Sequence, residues 1–173
     1  MKKNAMIIAL LSAGLMSSVA TAKPASSVLE WRGFVDGSFD GSDIALTGQG
    51  GGDIQKGVLT IAKDGSISTD RAIVVEAHEV DESGAVQDLF GGDVAWNISA
   101  TSVSHPAYDA KDITISMNGT TIEPGTPVKT TAGNHIVGFA ASGLPTDADK
   151  LTPGDVVSIT TLVLAEQDVT STP

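Results

Sequence analysis

The sequence predicts an all-β protein, an antiparallel β-sandwich. Three features point there: short β-branched and aromatic runs recur along the chain, clusters of Gly, Asp, Asn and Pro separate them, and only one short segment has a helix-compatible composition. The 173 residues fit one domain, and 41% apolar residues supply a core. No repeat with a period of about 20 to 50 residues is present, which argues against a solenoid or propeller.

The first 22 residues read as an export signal. Lys2 and Lys3 form a basic start, Ala5 to Val19 is apolar or small, and Ala20-Thr21-Ala22 satisfies the small-x-small cleavage rule. The apolar run is shorter than the roughly 20 residues of a bilayer span. Cleavage after Ala22 leaves residues 23–173 as a single domain, and no later stretch is long and apolar enough to span a membrane. Losing Lys2 and Lys3 leaves 8 basic residues against 21 acidic ones. Such a charge balance argues against nucleic acid and anionic membrane as partners, because both attract Lys- and Arg-rich surfaces. The absence of cysteine removes disulfides, thiolate nucleophiles and Cys-based metal sites. An exported, cysteine-free domain of this size fits a bacterial periplasm or cell surface.

Strands are expected at Val28 to Val35, Ile44 to Thr47, Gly57 to Ala62, Ala72 to Val80, Val94 to Val103, Asp112 to Met117, Thr120 to Ile122, Val128 to Thr131, His135 to Ala141 and Val156 to Ala165. Asn118-Gly119 is the strongest hairpin signal, because a type I′ turn needs positive φ at both central residues. Asp64-Gly65 has the same chemistry, and Asp81-Glu82-Ser83-Gly84 is a longer turn. Pro145 to Leu151 is the one segment expected to wind into a helical turn, and Pro153-Gly154 stops it before the last strand.

Catalytic signatures are sparse. The three histidines, His78, His105 and His135, lack the His-x-x-x-His and His-x-His spacings of zinc sites. His78 shares one face of its strand with Val74 and Glu76. That places an acid next to an imidazole, but the alternation is that of a polar face turned to solvent. No Gly-x-Ser-x-Gly elbow accompanies the many serines. These absences predict a protein that is not an enzyme.

Asp36, Ser38, Asp40 and Ser42 offer oxygens at alternate positions with Gly41 at the sixth, a weak calcium-loop likeness. Thr47 stands where the bidentate Glu belongs, so the residues are expected to form an acidic turn, with Ca²⁺ as the only cofactor to consider. The run Gly48 to Asp53 lacks the Gly-Lys-Ser/Thr ending of a phosphate loop and is expected to be a mobile loop. The glycosylation-like triplets at Asn97 and Asn118 are expected to be fortuitous. Trp31 and Trp96 are expected in the sandwich core, an exposed tryptophan that stacks on sugar being the other possibility.

The first mature strand carries the most information. In Val28 to Val35 one face presents Leu29, Trp31, Gly33 and Val35, and a short leader precedes it. Such a segment either completes its own sheet or leaves to complete a neighbour's by strand addition, and Gly33 permits close backbone approach in a groove.

With its signal peptide, its all-β mature domain, this glycine-bearing N-terminal strand and the long apolar final strand after Thr152-Pro153-Gly154 (DVVSITTLVLA), the chain resembles the cysteine-free pilin subunits of chaperone-usher fimbriae. The resemblance implies an incomplete immunoglobulin-like sandwich whose groove is filled by the N-terminal extension of the next subunit, with Leu29, Trp31, Gly33 and Val35 as donor positions. It also implies a homopolymer or other fibre subunits as partners, together with a periplasmic chaperone and an outer-membrane usher, and a location on the bacterial surface or in the periplasm. The competing expectation is a monomeric exported module that binds carbohydrate or calcium through Trp31, Trp96 or the Asp36 to Asp43 loop.

Overall fold

A computed structural model describes residues 43–168. The donor positions Leu29, Trp31, Gly33 and Val35 and the oxygen ligands Asp36, Ser38, Asp40 and Ser42 lie outside the described residues, as does the expected strand Val28 to Val35.

The described chain is antiparallel β-structure throughout, in two sheets. The larger holds β1 (Ile44–Thr47), β2 (Val58–Ile61), β3 (Ile67–Arg71), β4 (Ile73–Val80), β5 (Val86–Leu89), β7 (Ile113–Met117), β8 (Thr120–Thr121) and β10 (Ile136–Gly143). The smaller holds β6 (Val94–Val103), β9 (Val128–Thr130) and β11 (Ile159–Gln167), with β6 in the middle. Three 3₁₀ turns, Gln49–Gly51, Ala110–Asp112 and Ala148–Lys150, are the only helical segments among the described residues. No described helix is long and apolar enough to cross a membrane.

Alternation builds the core. Val75 and Ala77 of β4, Ile113, Ile115 and Met117 of β7 and Val137 and Phe139 of β10 point inward from the larger sheet. They meet Val94, Trp96 and Ile98 of β6. Trp96 stacks edge-on against Phe139 with ring centroids 6.1 Å apart, the geometry that a ring quadrupole favours. The two sheets therefore face each other across one core, as a sandwich requires.

Two strands escape the sequence pattern. β3 (ISTDR) is too polar to read as a strand and is held by its hairpin with β2 and by Thr69. The Thr69 hydroxyl accepts from the Ala141 N–H at 2.7 Å and donates to the Ala141 carbonyl at 2.8 Å, standing in for main-chain bonds where β3 gives way to β4 at Ala72. β5 (VQDL) is short and largely exposed, and it forms only because the Asp81–Gly84 turn folds it back on β4. The last strand also begins later than expected, at Ile159, and runs on to Gln167.

Turn chemistry fixes the hairpins. Asn118 and Gly119 both have positive φ, 50° and 82°, as the β7–β8 turn needs. Gly65, at φ 81°, closes the β2–β3 hairpin, and a Cβ there would lie 2.7 Å from Leu151 and 2.8 Å from Pro145. The Tyr108 hydroxyl donates to the Gly65 carbonyl at 2.7 Å, tying this turn to the segment after β6. The segment Pro145 to Leu151 does wind into a turn, the 3₁₀ piece at Ala148–Lys150.

Candidate functional site

The candidate site is the edge of β11. This strand pairs with β6 along its whole length, with one register shift between Leu162 and Val163, and among the described residues it pairs with no other strand. Its inward side chains are Ile159, Thr161, Val163 and Ala165. Each is only half-buried, although Ile159, Val163 and Ala165 pack against the core. Its outward side chains Leu162 and Leu164 are 49% and 40% exposed. A β-strand with one vacant edge presents a row of N–H and C=O groups ready to pair with another strand. β1 of the other sheet comes close to β11, with Cα atoms of the two strands within 8 Å.

Both ends of β11 are fixed. Before it, Ser158 and Ser104 are joined by two hydrogen bonds of 2.9 Å, Ser104 N–H to the Ser158 carbonyl and Ser158 N–H to the Ser104 hydroxyl. His105 Nδ1 accepts from the Ala107 N–H at 3.2 Å, so the ring proton sits on Nε2 and donates to Asp155 Oδ2 at 3.2 Å. Asp155 also receives the Thr152 N–H and hydroxyl, at 2.7 and 2.9 Å. The Thr152 N–H, then its hydroxyl, with His105 assisting, holds the Asp155 carboxyl below its ordinary value. After β11, the Asp168 N–H donates to the Asp93 carbonyl and the Asp168 carboxylate meets Lys129 Nζ.

The histidines occupy three separate networks. His135 is fully buried: its Nε2 donates to the Gly92 carbonyl at 2.7 Å, and its Nδ1 accepts from the Thr130 hydroxyl at 2.8 Å. The Thr130 oxygen accepts from Trp96 Nε1 at 2.8 Å. Trp96 is thus a core residue with its one donor satisfied, as expected of a buried indole, and is no surface platform for sugar.

His78 differs from expectation. Its face of β4 is the outer one, but the pair is not turned to solvent: His78 is 8% exposed and Glu76 4%. The glycine run after β1 is their cover. Glu76 Oε2 accepts from the Gly50 N–H at 2.9 Å, the Gly51 N–H at 3.3 Å and His78 Nε2 at 3.0 Å. Gly50 and Gly51 have φ of 69° and 76°, a backbone shape that aims successive amides at one anion. The run expected to be a mobile loop is therefore pinned, and its anion is the chain's own carboxylate. Burial works against ionising Glu76, but His78 and the two glycine amides outweigh it and lower its pKa. Burial likewise works against the His78 charge, and Glu76 with the Gln87 carbonyl more than offsets it, so its pKa is raised.

No two histidines share a partner, and the surface grooves along Thr101–Val103 and along Ser142–Pro145 contain none. Among the described residues no group of three or more His, Asp or Glu is placed to hold a metal ion. Sequence reading missed the Glu76 clasp because its partners lie 25 and 26 residues away, although two glycines opposite an acidic strand face were visible.

No protein-family model matches the chain, and no curated protein matches it.

Proposed function

We propose that this chain is a structural subunit of a bacterial surface fibre, a fimbria, pilus or biofilm matrix, assembled by N-terminal strand addition. The observation that carries the reading is β11: a long apolar strand, paired on one edge among the described residues, with every inward side chain half-buried. The occupant is Val28 to Val35 of a neighbouring subunit, with Leu29, Trp31 and Val35 turned into the sandwich and Gly33 at the closest approach. The sandwich is then an incomplete immunoglobulin-like one, with β11 as the strand that receives the addition. A periplasmic chaperone would cover the same edge before assembly, and an outer-membrane usher would release it. On this reading the protein is exported and has no active site.

The test is the size of the mature protein, isolated from the cell that makes it and run on a gel with and without boiling. A ladder of multiples that collapses to one band on heating is expected, because strand-swapped subunits are separated only by unfolding. A single monomer band in both lanes would overturn the reading and favour the monomeric binding module.

A further inference from the structure

Both ring nitrogens of His78 face oxygen acceptors. Nδ1 lies 2.8 Å from the Gln87 carbonyl of β5, which has no proton to give, and Nε2 lies 3.0 Å from Glu76 Oε2. A neutral imidazole has one N–H and one lone pair, so with Glu76 ionised only the imidazolium satisfies both contacts. Glu76 Oε2 meanwhile receives the amides of Gly50 and Gly51, whose loop continues directly from β1. Three segments that are remote in sequence thus converge on one imidazole and one carboxylate: the loop after β1, the middle of β4 and the main chain of β5.

We propose that His78, Glu76 and the Gly50 and Gly51 amides form a proton-operated clasp. It is closed while His78 carries both ring protons and opens when one is lost, freeing the glycine loop from the outer face of the larger sheet. Loss of the Nε2 proton sets a lone pair against a carboxylate oxygen, and loss of the Nδ1 proton sets one against the Gln87 carbonyl. Either arrangement is repulsive inside a site from which water is largely excluded. Deprotonation also leaves Glu76 without its counter-charge, so the anion that holds the loop is itself destabilised.

The surroundings supply no substitute charge. β1 and β10 contain no charged residue. β5 contributes only Asp88, and the loop between β1 and β2 contributes Asp53 and the exposed Lys56. Glu79, on the same strand, points to the other face and accepts from the Gly91 N–H. His135, just before β10, gives β4 its backbone carbonyl, which accepts from the Ala77 N–H, while its ring is engaged with Thr130 and Gly92. The charges named on β5 and at the near part of the loop, Asp88 and Asp53, are negative and favour the protonated ring, and Lys56 is exposed beyond them. The raised pKa of His78 has the same sign. This inference rests on the fold alone and is independent of the fibre reading.

Nitrogen NMR of the ring, with amide protection of Gly50 and Gly51, tests it on the intact mature protein across a pH series. Two ring protons on His78 at pH 6 are expected. Protection of the two glycine amides, corrected for intrinsic exchange, should then fall about tenfold or more with the same midpoint as His78, as the loss of a charge-assisted hydrogen bond implies. Amides of the β7–β10 ladder should keep their protection. His78→Gln, whose neutral side-chain amide still donates to Glu76, should hold the loop closed without that midpoint. A single ring proton on wild-type His78 at pH 6 would overturn the proposal, as would glycine amides whose protection ignores the His78 midpoint. The wild-type series decides the matter even if the variant does not fold.

Discussion

β4 and β11 are the two most informative strands, and they invert the usual link between composition and burial. β4 (IVVEAHEV) carries two glutamates and a histidine, yet Val75 through His78 are all buried. β11 (ITTLVLAEQ) is longer, has the same number of apolar residues and confines its charge to Glu166, yet none of its residues is buried. Position in the sheet makes the difference. β4 has β1 on one edge, β10 and β5 on the other, and the glycine loop over its outer face, whereas β11 has β6 alone among the described residues. A polar strand is tolerable in the middle because each of its buried groups is hydrogen-bonded, and no buried side-chain nitrogen or oxygen among the described residues lacks a partner. An apolar strand at an edge with half-buried side chains is what an incomplete sheet presents to a partner.

Substitutions can break this comparison. Glu76→Ala should be the most damaging of those considered, at about 3 to 5 kcal/mol by urea denaturation, because it leaves the buried His78 without its counter-charge and removes the acceptor that holds the Gly50 and Gly51 amides. A cost under about 1 kcal/mol would mean that water replaces the carboxylate and that the β4 face is not sealed. Tyr108→Phe should cost about 1 to 2 kcal/mol by the same assay, since it orphans the Gly65 carbonyl. Leu164→Ser on β11 should change the stability of the isolated chain by about 0.5 to 1 kcal/mol, since the side chain is already 40% exposed. The strand with one charged residue would then be the tolerant one and the strand with two glutamates and a histidine the sensitive one.

A pH series of denaturation curves sharpens the same contrast. Glu76 has a lowered pKa when folded, so its contribution is present above the ordinary glutamate value and is lost as pH falls through the folded value. His78 has a raised pKa when folded, so its contribution is present below the ordinary histidine value and is lost as pH rises through the folded value. The pair therefore stabilises fully between the ordinary glutamate and histidine values, near pH 4.5 to 6.5, and progressively less on either side. In Glu76→Gln the alkaline decline should largely disappear, and a decline that persists unchanged would assign it to another group.

Much of the architecture was legible because alternation and turn chemistry are local. β1 and β6 lie where their β-branched runs predict, and Asn118-Gly119 closes the hairpin whose φ values it supplies. β3 and β5 were not legible, since each is polar and exists through a partner: Thr69 bridging to Ala141 in one case, and the fold-back of the Asp81–Gly84 turn in the other. The Glu76–His78 face was read correctly as polar and wrongly as solvated. Its cover is a glycine loop whose position depends on a backbone conformation that no side-chain pattern encodes. The one-sided pairing of β11 among the described residues was equally invisible, because strand count and edge pairing are properties of the assembled sheet. What the sequence offered was the alternating Leu29, Trp31, Gly33 and Val35, the strand we propose as its occupant.

The absence of cysteine allows a direct test of whether those halves meet. Trp31→Cys would be combined in turn with Ile159→Cys, Thr161→Cys, Val163→Cys and Ala165→Cys, and the mature protein run under non-reducing and reducing conditions. Strand addition along β11 predicts that at least one pairing gives a ladder of disulfide-linked chains that reduction collapses to a single band. Disulfides formed only within single chains, or no β11 position that links at all, would contradict it.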